Sequence, residues 1–157
     1  MKSPRSLIFL VLVSFAVAGC GRHDHAAEKK GGGHAHTAPH GGVLIEVGEH
    51  AYNLELLRDP AAGKLTVWVL DGHAENFVRL KAAALEATAT VGSEKKTVSL
   101  KAVANPATGE TAGDTSQFEA QADWLKGSLP IEVTFAPVEI KGRRFDGLSG
   151  KAGVAAK

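Results

Sequence analysis

Histidine is the residue type that most clearly could do chemistry in this 157-residue chain, because five of its seven histidines fall between His23 and His40. An even spread would put about one there, and such a local bias marks a metal-binding tract. The order is His23-Asp24-His25, then His34-Ala35-His36, then His40. A neutral imidazole offers a nitrogen lone pair that suits Zn, Cu(II), Ni(II) or Co(II). Two imidazoles in an H-x-H pair can share one ion on a flexible chain, and Gly31-Gly32-Gly33 lets the second pair fold back on the first. The set His23, His25, His34, His36 and His40 is therefore expected to bind metal. Ordering a glycine-rich segment costs roughly 1 to 2 kcal/mol per residue fixed, so the expected site is exchangeable and the ion is not required for folding. Cys20 is the sole cysteine and Met1 the sole methionine, which disfavours a Cu(I) site built on soft sulfur ligands. The plain alternative is that His, Gly and Ala are soluble filler in a linker.

The other two histidines, His50 and His73, fall where short apolar runs end. If the turn Asp59-Pro60-Ala61-Ala62-Gly63 closes a hairpin, the start of its first strand lies beside the end of its second. That register brings Glu49 and His50 near Asp71 and His73, a second candidate metal set whose alternative is four exposed turn residues. His40 falls at the opposite end of this hairpin and is grouped with the linker. Nothing points to an enzyme: no serine stands in a G-x-S-x-G elbow, and no phosphate-binding glycine loop or zincin helix is present. Trp68 and Trp124 are read as core aromatics.

The elements that would position these residues read as strands. Val43 to Val47, Tyr52 to Leu56, Leu65 to Leu70, Leu85 to Val91, Val98 to Leu100, Phe118 to Trp124, Ile131 to Phe135 and Val138 to Phe145 alternate apolar and polar residues. That period of two is the pattern of half-buried strands. Gly92-Ser93-Glu94 supplies a second hairpin turn, and Pro130 and Pro137 mark strand ends. Only Asn76 to Ala87 has enough alanine for one helical turn. The expectation is all-β, a small antiparallel β-sandwich or partly open barrel over residues 39–146. Ahead of it a His/Gly-rich flexible tether spans 20–38, and a disordered tail spans 147–157. With a single cysteine, such a domain depends on packing for its stability.

The first nineteen residues read as an export signal, with Lys2 and Arg5 ahead of the apolar run Leu7 to Val13. The run is short of the roughly 20 residues that span a bilayer. Val17-Ala18-Gly19-Cys20 resembles the bacterial lipobox, which implies cleavage before Cys20 and lipid attachment to it. More than one acyl chain is what firm anchoring requires. Gly21 follows in place of the aspartate that retains many lipoproteins at the inner membrane, so the resemblance points to the outer membrane, facing the periplasm. Loss of Lys2 and Arg5 leaves 16 basic against 17 acidic residues in 138, and no basic stripe suggests nucleic acid.

Pro39-His40-Gly41-Gly42-Val43-Leu44, Glu46-Val47-Gly48, Leu54-Glu55-Leu56 and Val67-Trp68-Val69-Leu70-Asp71-Gly72 together resemble the N-terminal β-module of periplasmic adaptor subunits from heavy-metal RND efflux systems. They also resemble small His-rich periplasmic lipoproteins. The likeness covers residues 39–80, and the chain lacks the adaptors' helical hairpin and lipoyl-like module. It implies a monomeric accessory protein, anchored to the membrane and associated with an RND-type metal efflux complex. The competing expectation is a lipid-anchored β-sandwich interaction module with no metal role.

Overall fold

In the computed structural model, which describes residues 36–152, the alternating runs form strands nearly where their periodicity places them. β1 (Val43–Val47), β2 (Tyr52–Asp59) and β3 (Lys64–Asp71) form an antiparallel meander, in which Ile45, Leu54, Leu56, Leu65, Val67 and Val69 turn to the core. β4 (Ala84–Val91) and β5 (Glu94–Ala102) are the second hairpin, turning at Gly92, whose positive φ suits glycine. β6 (Gln117–Gln121) inserts between β3 and β5, and a 3-10 turn at Asp123–Leu125 leads toward β7 (Ile131–Phe135), which pairs with β4.

The segment 138–145, expected as one strand, is a separate hairpin of β8 (Val138–Ile140) and β9 (Arg143–Phe145). It breaks because Lys141 and Gly142 both adopt positive φ, a turn that a continuous strand cannot contain. Phe145 packs against the β1–β2 turn at Gly48 and edge-on to Tyr52, so this hairpin covers one end of the core. The expected disorder after Gly147 is corrected as well. Ser149–Ala152 form β10, whose backbone pairs with β7 although its side chains carry almost no apolar signal.

The strand order is β1-β2-β3-β6-β5-β4-β7-β10, all antiparallel. The sheet curls until its edges touch: Gly150 of β10 lies so close to Ile45 of β1 that an added Cβ would sit 2.6 Å from its side chain. The fold is thus an all-β, nearly closed barrel. Curling in this way shields strand edges that would otherwise be open to pairing with another chain. Among the described residues there is no α-helix, at Asn76 to Ala87 or elsewhere, and no helix long and apolar enough to cross a membrane.

Candidate functional site: a histidine on a buried carboxylate

β2 and β3 pair so that Glu55 lies directly opposite Trp68, with Leu54 and Leu56 turned into the core. Period two therefore puts Glu55 and Trp68 on the outer face, where a carboxylate would ordinarily meet water. Glu55 is instead fully buried, because Pro39–Gly42 folds over it. The backbone N–H groups of His40 and Gly42 donate to Oε1 at 2.7 and 2.9 Å, and the His40 ring meets Oε2 through Nδ1 at 2.8 Å. Three donors on one carboxylate offset the cost of removing it from water. The imidazole lies flat on Trp68, with ring centroids 3.7 Å apart and planes within 8°, and Phe77 flanks it at 5.8 Å.

The two glycines make this fold-over possible for different reasons. Gly41 has φ +75°, and Gly42 runs so close to β2 that a Cβ would lie 2.7 Å from the carbonyl oxygen of Leu56. A carboxylate only accepts hydrogen bonds, so Nδ1 of His40 carries a proton, and the neutral form of the ring in this orientation has its lone pair on Nε2. Nδ1 and Nε2 lie on opposite sides of the ring, so Nε2 faces away from Glu55, and about a third of the side chain remains accessible. His40, grouped with the linker by sequence, is thus an oriented part of the folded domain. Trp68, expected in the core, is its outer platform; Trp124 does pack against the core.

Asp71 shapes the loop after β3. Its Oδ1 accepts from the Glu75 N–H at 2.9 Å and its Oδ2 from the Asn76 side chain at 2.7 Å. The Asn76 hydrogen bond, with backbone N–H groups of Glu75, Asn76 and His73, outweighs desolvation and draws the Asp71 pKa from its usual 3.8 to about 2. The sign follows from a lowered folded-state value: the stabilisation is complete above pH 3.8 and fades as pH falls through about 2. Replacing Asp71 by asparagine is expected to flatten stability over that acid limb, measured by urea unfolding at pH 2.5 and pH 5. An unchanged slope would show that Asp71 is not the titrating group.

The second expected metal set is not assembled. Both Asp71 oxygens are engaged within its own loop, while His50 turns its ring to Glu46, with Nδ1 3.3 Å from Oε2, an exposed pair on one turn. Glu49 and His50 have positive φ in that turn, and the His50 carbonyl packs against Gly72. The hairpin register read from sequence is present, with Tyr52 opposite Asp71, but His50 and Asp71 take partners in their own turns. His73 is met from another direction, by His36, with ring centroids 5.6 Å apart and planes at 76°.

Cys20, His23, His25 and His34 lie outside the described residues. Among the described residues no group of three or more His, Cys, Asp or Glu side chains is placed to hold a metal ion. Sequence reasoning missed Glu55 altogether. Its signal was present in the pair of glycines next to a histidine, just ahead of a strand whose neighbour has a glutamate between two leucines. Comparison of the chain with protein-family models, with curated proteins and with solved structures gave no match.

Proposed function

We propose that this chain is a bacterial envelope lipoprotein, lipid-anchored at Cys20 and facing the periplasm from the outer membrane. On this reading its histidine-rich segment binds a divalent transition metal in an accessory role in heavy-metal handling or efflux. The observation that supports metal binding best is His40. An imidazole that gives Nδ1–H to a carboxylate and keeps Nε2 outward has the arrangement of a metal ligand with its orienting partner already in place. The histidines ahead of it would complete the coordination, and the anchor would hold the exchangeable ion near membrane-embedded partners such as an RND-type efflux complex.

Calorimetric titration of the chain from Gly21 with Cu(II), Zn(II) and Ni(II) at neutral pH tests this reading. Replacing His23, His25, His34, His36 and His40 by alanine is expected to abolish binding, and Glu55→Gln to weaken it by roughly 10- to 100-fold through loss of ring orientation. Metal competes with protons for the same nitrogens, so affinity should fall as pH drops below about 6. Absence of binding tighter than millimolar would end the metal reading. The second reading, a protein-interaction module, is favoured by Phe77, which is half exposed beside His40. It predicts that a partner's binding is indifferent to chelator.

A further inference from the structure

His36 and His73 lie 37 positions apart in sequence and come from different parts of the domain, the irregular segment leading into Pro39 and the loop shaped by Asp71. Neither belongs to the cluster around Glu55. Two histidines on a tetrahedral ion, with metal–nitrogen bonds of about 2.0 to 2.1 Å, hold their ring centres about 5.2 Å apart, whereas cis positions of a square plane hold them about 4.5 Å apart. The observed 5.6 Å is close to the tetrahedral value. His73 is exposed and His36 half-buried, so rotation of the rings can bring one nitrogen of each onto an ion that water also reaches. No salt bridge engages either imidazole among the described residues.

From this geometry we propose that His36 and His73 form a two-imidazole site for a tetrahedral divalent ion of the Zn(II) or Co(II) type, and that the ion fastens the histidine-rich segment to the β3 end of the barrel. Asp71 positions one of the two ligands by fixing the loop that carries His73. The inference rests on the reading that the segment binds metal, but it makes a separate demand. An ion held only by histidines ahead of the barrel, with no ligand from it, binds the folded and unfolded chain alike and leaves the melting temperature unchanged. An ion shared between His36 and His73 binds the folded chain alone and raises it.

The purified full chain in detergent is titrated with ZnCl2, with calorimetry for binding, thermal unfolding for linkage and Co(II) substitution for geometry. At about 100-fold excess of zinc over its Kd, the melting temperature is expected to rise by about 10 °C. His73→Ala and His36→Ala should each remove most of that rise while calorimetry still registers zinc on the rest of the segment, and the double variant should be no worse than either single one. Co(II) should give the intense visible absorption of a tetrahedral site, lost in the same variants. His73 is exposed, so His73→Ala should unfold at the wild-type temperature without zinc, and His73→Gln provides a second variant of similar size. Zinc binding with no rise, or with a rise that survives His73→Ala and His73→Gln, overturns the shared site and leaves the proposed function standing. No zinc binding at all overturns the shared site, and the proposed function falls with it only where Cu(II) and Ni(II) also fail to bind.

Discussion

Glu55→Ala is expected to lower stability by about 3 kcal/mol and to release Pro39–Gly42 from the barrel. The carboxylate is the common acceptor of the His40 N–H, the Gly42 N–H and the His40 ring. Hydrogen bonds to charged groups are each worth about 1.5 to 3 kcal/mol, and these three cannot be lost independently because they share two oxygens. Part of the loss is recovered when the freed N–H groups meet water, which keeps the total near the value of one to two such bonds. Burial of Glu55 itself depends on the segment it holds, so detachment would expose the outer face of Trp68 as well.

That coupling separates a latch from mere packing. In a Trp124→Phe background Trp68 is the only tryptophan, and Glu55→Ala should shift its emission to the red before any unfolding, with faster amide exchange at His40 and Gly42. Gly42→Ala should reproduce the effect from the other side, since its methyl group would collide with the Leu56 carbonyl and lift the same segment. Normal Trp68 emission and protected amides in Glu55→Ala would show that stacking on Trp68 alone holds the histidine.

The contrast between what could be read from sequence and what could not has a physical basis. β1 to β5 were legible because each is bounded by local turn chemistry and has one apolar face, so period two sets both its existence and its direction. β10 was not, since Ser149-Gly150-Lys151-Ala152 joins the sheet through backbone pairing to β7 and through the absence of a side chain at Gly150. The same alternation that placed Glu55 on the outer face correctly said nothing about what covers that face. His40 was assigned to the linker by composition, and only tertiary structure draws it onto Trp68. For the His50 and His73 set the register was legible and the local partners were not: Asp71 satisfies its own loop and His50 pairs within its own turn. The pairing of His36 with His73 has no local signal, because it depends on where the chain ahead of Pro39 runs over the loop at 71–76.

Arg58→Met is expected to lower stability by about 3 kcal/mol, although Arg58 forms no ion pair among the described residues. Only 2% of Arg58 is exposed, and its guanidinium is caged by three carbonyls of one loop: Nε donates to Leu125 at 2.8 Å, Nη1 to Leu129 at 2.5 Å and Nη2 to Gly127 at 3.1 Å. Burial lowers its pKa from the ordinary arginine value, but a guanidinium stays charged in proteins, so its contribution is independent of pH across the accessible range. The fork of donors ties β2 to the connection between the 3-10 turn and β7, a segment that includes Gly127 at φ +106° and ends at Pro130. Methionine keeps most of the apolar stem and removes every donor, so its effect isolates the cage from packing. The Leu125 carbonyl, buried with its partner, would then lack a donor, whereas those of Gly127 and Leu129 can turn to water. Lysine retains the charge but cannot present three donors in one plane, so Arg58→Lys should lose about half as much. Urea unfolding should register both changes as shifts in midpoint at constant slope. A loss below about 1 kcal/mol in Arg58→Met would mean that water already serves these carbonyls. The ordering expected from the cage is Arg above Lys above Met, whereas an ordering set by apolar packing would put Met above Lys.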